Sequence, residues 1–143
     1  MATFSADHAD AILNADYVNG TPHVLLHTGD PGADGTANVA QYDDGGGNDP
    51  IVLKEASFAA PSNHPTNTER RVLSDADIEW SGSEINAGQE ITHFTIWDGS
   101  DGPGTDTVLN IASVETPKTT GSDGVVIASG DLEVAITVHA KPE

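Results

Sequence analysis

The chain has 143 residues, no cysteine, and a formal net charge of −18 from 23 acidic residues against five lysines and arginines. This length is that of one domain, the lack of cysteine excludes disulfides and thiolate metal sites, and the scarcity of cations disfavours a nucleic-acid partner. Repulsion among the carboxylates is relieved near 1 M salt, where the Debye length is about 3 Å. The composition therefore predicts a protein suited to concentrated salt, with an acidic mesophilic protein as the alternative.

The N-terminal segment predicts a short helix over residues 6–18. Ser5 is a good N-cap residue, acidic side chains occupy the first turn, and Ala9, Ile12 and Leu13 fall on one face.

The same segment lacks the start of a signal peptide, because Asp7, Asp10 and Asp16 stand where cations are needed. Apolar runs are also far shorter than the roughly 20 residues of a membrane span. We therefore expect a soluble protein made in the cytoplasm, with no membrane insertion.

From about residue 22 onward, apolar and β-branched runs alternate with clusters of Gly, Pro, Asp and Asn. These runs predict strands at 23–28, 51–58, 71–80 (open to interruption), 90–97, 106–114, 125–128 and 131–140. About seven short strands at this spacing predict an all-β fold, an antiparallel β-sandwich of which a jelly roll is one form, with the short N-terminal helix. The sequence thus predicts one sandwich domain over residues 1–143.

Two of the predicted strands have informative faces. The last strand alternates cleanly, which predicts one buried face, with Leu132, Val134, Ile136 and Val138 on it. The strand at 92–97 is apolar on both faces, so it should lie inside its sheet or meet another subunit.

Two connections are long and rich in glycine, at 29–49 and 98–105. A structureless loop of about twenty residues is uncommon in a compact domain unless contact with something else orders it. A neighbouring copy of the chain is the expected contact.

Two stretches carry a family resemblance. His23–Gly32 contains Leu-His-Thr followed by Asp-Pro-Gly, and Ile91–Asp98 contains Thr-His-Phe followed by Trp-Asp. In this order they resemble the phage tail-fibre or virion-surface proteins of tailed viruses, although the segment 39–54 has Asp and Gly where that family has an aromatic strand. The resemblance implies a place on the outside of a virus particle, and the charge implies a halophilic archaeal host.

The acidic loops offer weak candidates for calcium ligands, with a solvated loop as the competing interpretation. The candidates are Asp43, Asp44, Asp49, Asp101 and Asp106. The first three do not fit the EF-hand pattern, and the glycine-rich turn at 102–108 is a single copy of a motif that binds calcium when stacked.

Histidine and tryptophan residues give further hypotheses. On a strand, His23 and His27 lie roughly 13 Å apart, too far to share a metal ion, so His27 and Asp30 should instead bond the backbone of the Pro31-Gly32 turn. Trp97 ends a strand and is the better candidate for an exposed or interfacial ring, one that could stack on a sugar.

No nucleophile or phosphate-binding motif is present, and we assign no catalytic residue, no cofactor and no enzymatic activity. A carboxylate pair for glycoside cleavage could come from acidic residues that are near one another by chance in so acidic a chain. These are Asp75, Asp77, Glu79 and Glu84.

We therefore expect a structural virion protein that forms homo-oligomers on the particle exterior beside capsid or tail proteins. A head-surface decoration or turret is favoured, because 143 residues contain neither a heptad run nor a repeating shaft. The alternatives are a tail fibre or tail tip, and a glycan-binding host-attachment module whose loops hold calcium.

Overall fold

The computed structural model describes residues 3–42 and 51–139. The helical elements are α1 (Ala6–Leu13) and a π-helical turn (Asn14–Val18) that continues it. The strands are β1 (His23–His27), β2 (Lys54–Glu55), β3 (Ser62–Asn63), β4 (Glu69–Leu73), β5 (Ile78–Trp80), β6 (Glu90–Trp97), β7 (Val108–Thr119), β8 (Val125–Ile127) and β9 (Glu133–Thr137). No helix among the described residues is long and apolar enough to cross a membrane.

The predicted helix is present and its start follows from its sequence. The Oγ of Ser5 accepts a hydrogen bond from the N–H of His8 at 3.1 Å, which satisfies one free donor of the first turn. Farther along, Arg70 of β4 holds both carboxylate oxygens of Asp10, at 2.7 and 2.8 Å. Since Ala9 is also fully buried, α1 is fixed against the strands on one face and by an ion pair at its side.

The strands form a four-stranded sheet in the order β2-β1-β6-β7, a three-stranded sheet in the order β3-β4-β9, and the ribbon β5-β8. Every pairing between these strands is antiparallel. The predicted all-β antiparallel sandwich is therefore confirmed. Its division into four, three and two strands differs from the paired four-stranded sheets of a jelly roll.

Both predictions about strand faces are confirmed. β6 lies inside its sheet, between β1 and β7, and Phe94 faces Leu26 on one side and Ala112 on the other. In β9 and its flanks, Leu132, Val134 and Val138 are buried, Ile136 on the same face is partly buried against the core, and the residues that alternate with these four are exposed. Period-2 patterning was thus sufficient to identify these faces.

Three predicted strands differ most from the structure. The segment 51–58 forms only β2, opposite His23 and Val24, because farther along, the same edge of β1 is taken by the loop, where Ala40 donates its N–H to the carbonyl of Leu26. The segment 71–80 is divided by residues 74–77, where the Oγ of Ser74 accepts the N–H groups of Gly130 and Leu132. The strand predicted over 106–114 instead runs from Val108 to Thr119 as β7.

The core is anchored by large side chains that are fully buried and hydrogen-bonded. Trp80 has no exposed surface, and its indole N–H donates to the carbonyl of Val52 at 2.8 Å. The Tyr42 hydroxyl, 1% exposed as a residue, accepts the N–H of Leu26 at 2.8 Å. These bonds satisfy the polar atoms that aromatic residues carry into a core.

Candidate interaction surface along strand β7

β7 is the longest strand and stands at the end of its sheet. It pairs with β6 on one side, and no other strand within 3–42 and 51–139 pairs with its outer edge. A free edge presents unpaired backbone donors and acceptors, which is the usual template for addition of another strand. One of these acceptors is already used, since the hydroxyl of Tyr17 donates to the carbonyl of Leu109 at 3.3 Å.

A bulge of four residues interrupts the pairing in the second half of β7. His93 pairs with Ser113 and Ile91 with Lys118, so residues 114–117 of β7 stand opposite Thr92 alone. Pro117 lies in this bulge, where a missing N–H costs no ladder bond. Bulges and prolines protect strand edges from pairing, so the regular part of the outer edge is the stretch before the bulge.

A further register shift lies at Leu109, so the regular part of the strand is residues 110–113. The uncharged run Val108–Val114 around it is called the neutral strip below. Its surroundings also carry few charges, since Glu115 and Lys118 are the only charged side chains among the sixteen residues 107–122. Ile111, at its centre, leaves 36% of its surface exposed. On a molecule of net charge −18 the neutral strip is therefore a place that another acidic chain can approach at low electrostatic cost.

A cleft of about 450 Å³ lies between β7 and the segment that leads into β9. Its apolar lining includes Phe94, Ala112, Val114, Ile127 and Leu132. Across the cleft, the Lys118 ammonium lies 3.7 Å from a carboxylate oxygen of Asp131. The cleft thus adds an apolar hollow with a charged rim beside the neutral strip.

His64 and Glu133 on the opposite wall of the cleft form a cluster with Glu69, and the ligand-type atoms of these three residues all lie within 4.8 Å of one another. The ring Nδ1 of His64 accepts the N–H of Thr66 at 3.1 Å, so in the neutral ring the proton is on Nε2. That protonated Nε2 lies 4.0 Å from Glu133, whose other oxygen receives Arg71 at 2.7 Å. A metal ion bound to Nε2 would replace this proton and would lie near the Arg71 guanidinium, which repels a cation. The geometry therefore favours a polar network that joins β3, β4 and β9.

A family model described as Podophage GP4 fiber I protein gp80 matches residues 4–135. The chain belongs to this family. The match includes α1, every strand up to the first part of β9, and both stretches that carried the resemblance. None of the curated proteins matches the chain.

In this fibre-family protein, the strand with Leu-His-Thr supplies a buried polar chain. The Nδ1–H of His27 donates to the carbonyl of Ala37 at 2.8 Å, and its Nε2 lies 2.9 Å from the Oγ1 of Thr95. The indole N–H of Trp97 donates to the same Oγ1 at 2.7 Å. Because His27 has no exposed surface, its burial lowers its pKa, although the bond to Ala37 opposes that shift.

The expectation of a partly exposed Trp97 ring is wrong, since this residue is 3% exposed. The loop that follows β1 covers it: an added Cβ on Gly35 would lie 3.2 Å from the ring. The loop is tied to its own sheet, with the N–H of Thr28 on the carbonyl of Asn38 and the N–H of Ala40 on that of Leu26. Residues 29–42 are thus held by hydrogen bonds within the chain, and contact of this loop with a neighbouring copy stays a prediction.

The prediction that His27 and Asp30 hydrogen-bond the backbone of the Pro31-Gly32 turn is confirmed for Asp30. Asp30 accepts the N–H of Gly32 at 2.9 Å, as an Asx turn requires. His27 bonds the backbone farther along the same loop, at Ala37.

The calcium candidates that the structure describes are Asp101 and Asp106. The Oδ2 of Asp106 accepts two backbone N–H groups, from Asp101 at 2.8 Å and Gly102 at 2.7 Å, and so closes its own loop. Asp43, Asp44 and Asp49 lie outside the described residues. Calcium binding by these five residues stays a prediction.

Two of the four carboxylates that could have served glycoside cleavage, Asp77 and Glu84, have structural partners. Glu84 binds Lys54 and accepts the N–H of Ser81, and the hydrogen bond from Lys54 lowers its pKa. Asp77 accepts the N–H of Ser129 at 2.8 Å. Asp75 and Glu79 are exposed.

Sequence reasoning did not identify the surface along β7. Its signal was present, since the run 107–122 is almost free of charge in a chain with 23 acidic residues. The cluster of His64, Glu69 and Glu133 depends on strand register, which the sequence does not reveal.

Proposed function

We propose that the protein is a structural component of the exterior of a tailed virus, where copies of the chain assemble with other virion proteins into a fibre. The observation that carries this proposal is the family match over residues 4–135. In this function the chain performs no catalysis. Its work is to pack apolar strand edges against neighbours while carboxylates face the solvent.

The charge supports a halophilic archaeal host. Self-repulsion at −18 disfavours both folding and assembly in dilute solution, and concentrated salt removes that penalty. A virion surface in brine would experience this screening throughout its life.

A fibre of the tail or tail tip agrees best with the family description. Head-surface decoration or a turret is the second candidate, and the observation in its favour is the fold. The described strands form one sandwich of short elements, with no repeated shaft among residues 3–42 and 51–139.

A glycan-binding role loses its main support, because the ring named as the sugar platform is buried. Trp97 is 3% exposed and its N–H is already bonded to Thr95. Stacking on a sugar needs an open ring face.

The test is the composition of purified particles. Mass spectrometry of gradient-purified virions should find the chain in stoichiometric amounts. Brief protease treatment of intact virions should then cleave it while internal proteins survive. Absence from the virion, or protection equal to that of internal proteins, would contradict the proposal.

A further inference from the structure

We infer that the neutral strip of β7 is where two copies of the chain join, by antiparallel pairing of one β7 with the β7 of a second copy. This inference rests on the self-assembly clause of the proposed function. It names the surface that assembly uses and the register in which the strands meet.

The occupant follows from charge. Most exposed surfaces of the molecule carry carboxylates, and two such surfaces repel each other at a net charge of −18 per copy. The neutral strip has no charge over seven residues, and an edge-to-edge pair places two such strips together. A second copy is thus the partner that meets the least repulsion here and presents the same uncharged edge in return.

Length also points to β7 as its own partner. The other strands at the ends of the described sheets are β2 and β3, with two residues each, β5 and β8, with three each, and β9, with five. β9 begins with Glu133 and follows Asp131, so its edge brings carboxylates to any partner. Among the described edges, only that of β7 offers an uncharged run as long as the neutral strip.

The register is limited by two features of the strand. The Leu109 carbonyl is occupied by Tyr17, and the bulge begins after Ser113. Residues directly opposite each other in an antiparallel pair point to the same face of the sheet, so a two-fold axis must pass between equivalent residues. An axis between the two copies of Ala112 places Ile111 opposite Ser113 of the second copy and keeps this pairing before the bulge. This covers the exposed Ile111 side chain and joins two four-stranded sheets into one of eight strands. The added strand also lies beside the cleft that β7 lines.

The matched variants are Ser113→Lys, in the neutral strip, and Ser100→Lys, in the loop after β6. Both serines are exposed, and both changes reduce the net negative charge by one. A general electrostatic effect would therefore strengthen association in both. Ser113→Thr serves as the conservative variant, and equal urea midpoints check that all three fold.

Sedimentation velocity over a concentration series in about 1 M salt measures association where the Debye length is about 3 Å. We expect the unmodified protein, Ser100→Lys and Ser113→Thr to associate alike. Ser113→Lys should lower the association constant at least about tenfold, because two lysines beside the axis must each lose hydration and side-chain freedom against the opposite strand, a cost that salt does not screen.

Two results would overturn the inference, and they differ in whether they also contradict the self-assembly clause of the proposed function. Association of Ser113→Lys equal to that of Ser100→Lys would exclude the neutral strip while leaving self-assembly intact. Absence of association of the unmodified protein at every salt and protein concentration would contradict both the inference and the self-assembly clause.

Discussion

His27 belongs to a chain of donors and acceptors that works only in one protonation state. With the proton on Nδ1, the ring donates to Ala37 and its Nε2 accepts the Thr95 hydroxyl, which in turn accepts Trp97. A second proton on Nε2 would turn that acceptor into a donor. The network therefore links the loop after β1 to β6 only while His27 is neutral.

A pH dependence of stability follows from this arrangement. The pKa of folded His27 is lowered below 6.5, so the unfolded chain takes up the proton first. This contribution to stability is complete above about pH 6.5 and falls as the pH drops toward the lower folded pKa.

Urea unfolding from pH 7.5 to 5.5 measures that loss of stability. The test variant is His27→Asn, since it removes the titrating group while its side-chain amide keeps a donor for the carbonyl of Ala37. We expect a smaller decline with pH in His27→Asn than in the unmodified chain. His8→Asn, at an exposed helix position, is the control for the loss of one histidine. Equal slopes in all three proteins would refute a role for His27.

Thr95→Val should destabilise the fold by about 1–3 kcal/mol. The substitution keeps the shape but leaves the Trp97 N–H and the Nε2 of His27 buried without partners. The exposed Thr105→Val should change the urea midpoint little. A midpoint for Thr95→Val as high as that of Thr105→Val would contradict the importance of the network.

At the scale of elements, two glycines with nearly the same backbone angle separate strain from crowding. Gly124 has φ 92° and Gly104 has φ 90°. An added Cβ at Gly124 would lie 1.8 Å from the backbone oxygen of Trp80, in the turn that positions β8 beside β5. At Gly104 it would meet no atom within 4 Å.

Gly104→Ala should therefore cost about 1–2 kcal/mol, the strain of a left-handed conformation alone. Gly124→Ala should cost more, by at least about 2 kcal/mol, because the backbone at Trp80 must move. Thermal or urea unfolding of the two variants gives the comparison. Equal losses of stability in the two variants would show that the β5-β8 ribbon can shift at Trp80 with no cost in free energy.

An element could be predicted from the sequence only where its sequence signal is local. Alternation in the sequence was enough to place β6 inside its sheet and to orient β9, since side-chain period and burial are local. The extension of β7 through Glu115 and Pro117 was missed, because a proline and a charge argue against a strand unless the position is a bulged edge. The burial of Trp97 was missed because a loop 60 residues earlier in the chain covers it, and such distant contacts leave no local trace.

At the scale of the whole molecule, the net charge decides under which conditions the fold and the proposed assembly are stable. Carboxylates exceed cations by 18, and the ion pairs among the described residues engage few of them. The remaining repulsion acts over about 10 Å at 0.1 M salt and over about 3 Å at 1 M.

The urea midpoint should therefore rise between about 0.1 M and 1 M KCl. Most of the rise should come at the low end of that range, where the Debye length changes most. NaCl at equal ionic strength should give the same rise, because screening does not depend on the identity of the cation. A midpoint that is flat or falls with salt would contradict the interpretation of the charge as an adaptation to brine.

Electron cryomicroscopy of intact virions decorated with gold-labelled Fab fragments against this chain tests the central claim most directly. The account predicts gold at regularly repeated positions on the outside of the particle, at the tail fibres or tail tip, with head-surface projections as the second location. Particles that bind no Fab while a control antibody labels another exterior protein would contradict it.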